Sequence, residues 1–117
     1  MARNRLTRDN GFVYTPTGLI HQGELAAQIA RAKSSLGPEV AHVAYRIGAD
    51  STGEASIFFR ITLLDWAIDE NLIADVTGRV ATTLFDEIRP LDNWGLRPYF
   101  NFRSHSEQLR RPDPDWI

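Results

Sequence analysis

The 117-residue sequence predicts a single α+β domain, a two-layer sandwich in which two amphipathic helices cover one face of a small, mainly antiparallel sheet. Two hydrophobic periods predict this class. Residues 40–64 alternate apolar and polar side chains with the period of two that is typical of β-strands. Residues 20–36 and 66–88 repeat apolar side chains every three or four positions, as amphipathic helices do. A last alternating stretch at residues 97–103 completes the order helix, strand, strand, helix, strand.

The chain begins with a basic stretch and a first helix. Residues 1–10 contain three arginines and almost no apolar side chain, which predicts a flexible basic N-terminal tail. Residues 11–18 are apolar and then rich in turn formers, which predicts a short edge strand or an extended arm. The first helix is predicted from about residue 20 to residue 36. Gly37-Pro38 ends it, because glycine favours the helix C-cap and proline cannot continue a helix.

Val40–Gly48 and Ala55–Leu64 are predicted to form a β-hairpin that is closed by a turn-rich loop. Centring this loop on Thr52 places the apolar residues of both strands on one face of the hairpin. The resulting register pairs Asp50 with Glu54, Ile47 with Ile57, Tyr45 with Phe59, Val43 with Ile61, Arg46 with Phe58, Ala44 with Arg60, and His42 with Thr62. One face is therefore apolar, and the other is cationic with an aromatic side chain in it.

The second helix is predicted from about Trp66 to Ile88, with Asp65 as its N-cap and apolar residues recurring every four positions. Arg89-Pro90 ends this helix, because proline cannot continue it. Residues 91–96 are predicted to form a loop, and Trp94 within it is expected to fill an edge of the core.

The third strand is predicted at Arg97–Arg103, followed by a capping box at residues 104–107 that opens a short helical turn. Residues 110–117 contain two prolines and predict an irregular C-terminal tail, whose Trp116 is expected to fold back and dock. The element order is similar in outline to that of the compact αββαβ domains at the cytoplasmic end of cation-efflux transporters. That similarity concerns element order and implies no shared function.

Composition and motifs exclude several classes of function. The formal net charge of −2 argues against bulk nucleic acid as the main partner, and the absence of cysteine excludes disulfides and thiolate chemistry. The sequence contains no apolar run long enough for a membrane span and no signal core, so we expect a cytoplasmic protein without a membrane partner. We expect no cofactor and no metal, because no phosphate-binding, dinucleotide-binding or metal-helix motif occurs. The acids and hydroxyls of the hairpin loop, which a hard cation can use, are explained better by turn chemistry.

The polar face of the sheet is the candidate site, because the helices are expected to cover only the apolar face. The contact set that it predicts consists of Arg46, Phe58, Arg60, Tyr99 and Arg103. Aromatic residues and arginine are enriched in protein interfaces, and two such faces can cover each other in an isologous homodimer. The first hypothesis is therefore a non-enzymatic interaction module that forms a homodimer. A second protein is a further candidate partner, for which the chain would be an accessory, a regulator or an antitoxin-like neutraliser.

Two alternative functions stay open. Arginines interleaved with aromatic residues also suit a nucleic-acid-binding module, although the acidic net charge makes this reading less favoured. A small enzyme that uses His42 or His105 with a nearby carboxylate is the second alternative, and it requires a concave pocket beside one of these histidines. The acidic residues of the second helix are typical of a solvated surface, or of a surface that meets a basic partner.

Overall fold

The computed structural model describes residues 15–117. Its elements, in chain order, are helices α1 (Thr17–Ile20) and α2 (Gln22–Lys33), strands β1 (Val40–Ala49) and β2 (Ala55–Leu63), a 3₁₀ turn (Asp65–Ile68), helices α3 (Ile73–Ile88) and α4 (Pro90–Trp94), strand β3 (Arg97–Ser104), helix α5 (His105–Arg110) and a second 3₁₀ turn (Pro114–Trp116). The predicted α+β class is confirmed. The basic tail predicted for residues 1–10 lies outside the described residues. Within the described range, no helix is both long enough and apolar enough to cross a membrane.

The three strands form one mixed sheet in the order β1-β2-β3. Strands β1 and β2 are antiparallel, and the whole predicted hairpin register is confirmed, with Arg46 opposite Phe58. Strands β2 and β3 are parallel, with Tyr99 beside Phe58. The parallel pair corrects the mainly antiparallel sheet that the sequence predicts. It arises because the chain leaves β2, passes through α3 and returns in the same direction, which is the crossover connection that parallel strands require.

The hydrophobic core joins helices α2 and α3 to the apolar face of the sheet. Its buried side chains include Leu25, Ile29 and Ala32 of α2, Val76, Val80, Leu84 and Ile88 of α3, and Val43, Ile57, Phe59, Ile61 and Leu63 of the hairpin. Phe59 is fully buried, and its ring stacks on that of Phe100 with the ring centroids 5.3 Å apart. The predicted helical stripes therefore face the predicted apolar side of the hairpin.

Residues 66–88 do not form one continuous helix. The chain makes a 3₁₀ turn, breaks at Asp69 and only then begins α3. The Asp69 carboxylate accepts a hydrogen bond from the Asn71 amide at 2.8 Å, which is the local bond by which aspartate competes with a helix. The predicted N-cap role of Asp65 is wrong, because its carboxylate instead accepts a hydrogen bond from the Ser106 amide at 3.0 Å.

Two predicted irregular regions contain short helices. The edge strand or arm predicted for residues 11–18 lies partly outside the described residues, and its described end is the first turn of α1 rather than a strand. The loop predicted for residues 91–96 mostly forms α4. Trp94 packs against the core as predicted, and its Nε1 donates a hydrogen bond to the Ile88 carbonyl at 3.0 Å.

The N-cap half of the predicted capping box is confirmed, because Ser104 Oγ accepts a hydrogen bond from the Glu107 amide at 3.0 Å and so fixes the start of α5. The Glu107 carboxylate, which would complete the box, pairs with Arg103 and Arg110. After α5 the chain turns back across the polar face of the sheet, where it contacts β1 and β2. Trp116 docks there, as predicted, and is only 9% exposed. We call residues 112–117 the closing segment.

Candidate functional site

The face of the sheet that points away from α2 and α3 is covered over only part of its area, and we call it the open face. By strand alternation it carries His42, Ala44, Arg46 and Gly48 from β1, Ser56, Phe58, Arg60 and Thr62 from β2, and Arg97, Tyr99, Asn101 and Arg103 from β3. All five residues of the predicted contact set lie on this face, because strand alternation and the pairing of the three strands send them to the same side. The closing segment covers one half of the open face and leaves the other half uncovered.

The uncovered half carries three side chains that pack in a line across the strands. The rings of Phe58 and Tyr99 stack with their centroids 5.3 Å apart and their planes at 13°. Arg46 approaches Phe58 from the strand on the opposite side, with its Cζ 4.7 Å from the ring centroid. Both faces of the Phe58 ring are therefore covered, and its edge points outward, while Arg46 and Tyr99 are exposed. We call these three residues the stacked row, and Arg60 adjoins it with its Cζ 5.9 Å from the Phe58 centroid.

The hairpin loop holds one end of the stacked row in place. One oxygen of the Asp50 carboxylate accepts hydrogen bonds from the amide and hydroxyl of Thr52, at 2.9 and 2.7 Å, and from the Glu54 amide at 3.0 Å. The other oxygen accepts the hydroxyl of Tyr99 at 2.8 Å. These bonds, first that of the Thr52 hydroxyl and then that of Tyr99, hold the pKa of Asp50 well below its usual range. Both oxygens of the Asp50 carboxylate therefore accept hydrogen bonds, one from the turn and the other from the stacked row. The bonds within the turn are those that the sequence predicts.

The other half of the open face lies beneath the closing segment. The ring of Trp116 lies against two arginines, with its centroid 5.9 Å from Arg60 Cζ and 5.6 Å from Arg103 Cζ. Thr62, which neighbours both arginines in the sheet, is only 2% exposed, and Ala44 of β1 is also buried. The Pro114–Trp116 turn contacts both β1 and β2 here. We call these four residues, the two arginines with Thr62 and Ala44, the indole site.

Arg103 differs from the other predicted contact residues because it is bonded to its own surroundings. Its Nη1 donates to Gln108 Oε1 at 2.5 Å, and its Nη2 donates to the Arg111 carbonyl at 3.1 Å. A salt bridge of 3.3 Å joins it to Glu107, and its side chain is only 16% exposed. Burial raises the pKa of Glu107, but the neighbouring arginines outweigh this effect and hold the pKa below its usual value. The structure thus places Arg103 as an anchor for α5 and the closing segment, whereas the stacked row reaches solvent.

Two buried polar atoms of the indole site have no hydrogen-bond partner within residues 15–117. These atoms are Arg60 Nε and Thr62 Oγ1. A buried polar group that loses its bond to water without a replacement costs about 1–3 kcal/mol. Sequence reasoning missed this feature, because alternation places Thr62 on the open face but does not show that Trp116 will cover it.

Neither candidate catalytic histidine has an acid–base partner in the described part of the chain. His42 is exposed and lines a shallow cleft of about 240 Å³ beside Lys33. His105 is exposed at the start of α5, and the nearby Asp65 carboxylate accepts hydrogen bonds from the amide and hydroxyl of Ser106 instead. Those bonds hold the pKa of Asp65 below its usual value. No group of three His, Asp or Glu side chains among residues 15–117 is arranged to hold a metal ion.

The acidic surface of α3 is partly neutralised by contacts within the chain. Arg79 pairs with Asp75 at 2.9 Å and with the buried Glu39 at 3.0 Å, and the bond to Asp75 is the main cause of its raised pKa. Glu87 accepts a hydrogen bond from Ser35 Oγ at 3.0 Å. These contacts hold α3 against the loop between α2 and β1, so part of the acidic charge stabilises the fold.

A scan against protein-family models finds no match for this chain, and searches of curated proteins and of solved structures find none either. Inference about function therefore starts from the open face itself.

Proposed function

We propose that this chain is a non-enzymatic protein-interaction module that self-associates through its open face, with the stacked row at the centre of the contact. The observation that supports this function is the row itself, in which one arginine and two aromatic rings are already packed against one another beside solvent. Tyrosine and arginine are enriched among interface hot spots. Side chains that are ordered before binding also lose less conformational entropy on association.

The uncovered half of the open face is small for a stable dimer. It presents five residues, which are the stacked row and its neighbours Gly48 and Arg97, because Ser56 between these two neighbours is fully buried. A standard interface uses roughly 20–30 residues from each partner. A stable dimer therefore needs more of the open face than the closing segment leaves uncovered.

Light scattering on a sizing column over a range of chain concentrations tests this function. The wild type is expected to shift from monomer to dimer as its concentration rises. Arg46→Glu reverses the charge at one end of the stacked row, and we expect it to raise the concentration needed for dimerisation at least tenfold. The matched control is Arg31→Glu, the same charge reversal at an exposed position on α2. A wild type that stays monomeric at all concentrations, or an equal effect of the two reversals, would overturn the proposal.

Nucleic-acid binding is the second candidate, and the arginines gathered on the open face are the observation that favours it. The stacked row supports it less well, because Arg46 and Tyr99 already cover both faces of the Phe58 ring on which a base would stack. The test is the anisotropy of labelled single-stranded RNA. This candidate requires binding that weakens steeply with salt and disappears in the double variant Arg46→Ala with Arg60→Ala. Absence of binding at low salt removes it.

A second protein partner and the cellular location are further proposals. Asp86, an exposed acid of α3, suits a basic partner, as an antitoxin-like or regulatory role requires. The absence of cysteine fits a cytoplasmic location, because that compartment keeps thiols reduced and gives disulfides no use. Capture by a basic protein that is lost in Asp86→Lys would support the second partner.

A further inference from the structure

The closing segment covers the indole site with one large side chain and few hydrogen bonds. Gln108 Nε2 donates to the Asp113 carbonyl at 3.0 Å, close to the start of the segment. Beyond that point, the amides of Asp115 and Trp116 bond to Asp113, within the segment itself. A cleft of about 540 Å³ opens beside Trp116, between α5 and the segment. The indole is therefore the main contact that keeps the segment on the sheet.

The fit between the indole and its site is incomplete. Arg60 Nε and Thr62 Oγ1 lie buried there without a partner in the described chain. Both atoms would be hydrated if the segment left, so their burial opposes docking. The closed form is thus favoured less strongly than the buried area of a tryptophan alone would suggest.

The closing segment and the open face carry opposite charges. The face carries four arginines, of which Arg46 and Arg60 have no ion pair among residues 15–117. Arg103 pairs with Glu107, and Arg97 lies 3.8 Å from Asp50. The segment carries Asp113 and Asp115. Two bare open faces would repel each other, because like charges brought together across an interface are unfavourable. Two closing segments lying between the faces would supply carboxylates to both. Charge complementarity therefore favours a dimer in which the segments stay within the interface.

We propose that the indole site of one copy binds the closing segment of a second copy, so that each Trp116 crosses to the open face of the other chain. This inference rests on the proposed self-association and names what fills the indole site within it. Such an exchange repeats the contacts of the closed form, and reciprocal exchange stops at two chains. A segment on a short tether competes at an effective concentration on the order of millimolar. At chain concentrations below this value, exchange needs an additional contact between the two chains, which the two stacked rows supply.

A complementation experiment distinguishes exchange from docking within one chain. Trp116→Ala keeps the indole site but removes the indole, and Ala44→Glu keeps the indole but blocks the site. The introduced carboxylate lies opposite Arg60, so we expect the variant to fold, and circular dichroism checks both proteins. Each variant alone is expected to be monomeric where the wild type is dimeric. An equimolar mixture regains one intact site and one matching segment, and should form a dimer of one chain of each kind by native mass spectrometry.

A second measurement tests whether the indole site binds the closing segment when no dimer is present. A labelled synthetic peptide with the sequence of residues 110–117 is titrated into folded Trp116→Ala protein. We expect saturable binding that is lost when the tryptophan of the peptide is replaced by alanine. The wild type should bind the peptide at least tenfold more weakly, because its own segment competes for the site.

The outcomes separate this inference from the proposed function. A wild type that dimerises while the mixture of variants stays monomeric overturns exchange and leaves self-association standing. A folded Trp116→Ala protein that does not bind the peptide also overturns exchange, whatever the wild type does. If the wild type never dimerises, self-association fails and exchange between whole chains fails with it, even where the peptide binds.

Discussion

The two faces of the sheet carry nearly the same aromatic pair in two different settings. On the apolar face Phe59 stacks on Phe100 with the ring centroids 5.3 Å apart, and on the open face Phe58 stacks on Tyr99 at the same distance. Both pairs join β2 to β3 in register, so the spacing is a property of the strands. Phe59 lies fully buried in the core with the helices, whereas Phe58 is half-buried between an arginine and a tyrosine. The difference between core and candidate interface thus depends on what covers each pair.

The largest expected effect comes from removing one ring on each face. Phe59→Ala should lower the free energy of unfolding by about 3–5 kcal/mol, because it opens an enclosed cavity in the core. Phe58→Ala should cost about 1–2 kcal/mol, because it loses ring contacts at a site that water can reach. Urea denaturation of both variants measures the two losses. Equal losses would show that Phe58 is enclosed as completely as Phe59, which would contradict the difference between the two faces.

Trp116→Ala should cost about 1–2 kcal/mol, less than the roughly 3–5 kcal/mol typical of a core tryptophan. The loss is smaller because undocking returns Arg60 Nε and Thr62 Oγ1 to water. The comparison is with Trp94→Ala, which removes the same ring from the edge of the core together with its hydrogen bond to the Ile88 carbonyl. A Trp116 variant that loses as much stability as the Trp94 variant would contradict the incomplete fit of the indole site.

Thr62→Val should stabilise the protein by about 1 kcal/mol, because it replaces a buried hydroxyl that has no partner with a methyl group of similar shape. The gain should disappear in the Trp116→Ala background, where water reaches the hydroxyl, and a double-mutant cycle measures this coupling. Thr77→Val is the control, since the Thr77 hydroxyl donates to the Ile73 carbonyl at 2.8 Å and its loss should not stabilise. Stabilisation at both positions would indicate a general preference for valine instead.

The smallest expected effect is a change in acid sensitivity. The pKa of Asp50 is lower in the folded state, so its ionised form stabilises the fold above the unfolded pKa of about 3.9. That stabilisation is lost as the pH falls from about 4 toward the folded pKa. Asp50→Asn should therefore be less stable at neutral pH and should lose less stability on acidification, as urea midpoints at several pH values would show. An unchanged acid slope would mean that the ionised Asp50 carboxylate, with its bonds to the loop and to Tyr99, does not stabilise the fold.

The hairpin register and the shared face of the contact set followed from the sequence, because a period-2 pattern across a short loop leaves one consistent pairing. Other features depended on distant parts of the chain. The direction of β3 is set by the crossover through α3, and the helix break at Asp69 by a local bond that no periodicity reveals. The site of Trp116 depends on how α5 turns the chain, so neither the division of the open face nor the unpartnered atoms beneath it could be derived from alternation.

The parallel pairing of β3 also sets an order of folding. Strands β1 and β2 are joined by a short loop and are able to pair on the microsecond timescale of an isolated hairpin, roughly 1–10 μs. Strand β3 comes from much farther along the chain, and we expect it to pair only after α3 has formed, because distant contacts have a larger entropic cost of loop closure. Until then Phe58 lacks Tyr99, and one edge of β2 is unpaired. Unpaired strand edges promote aggregation during folding. The charge of Arg60, which lies on β2 itself, opposes such wrong pairing while the sheet is incomplete.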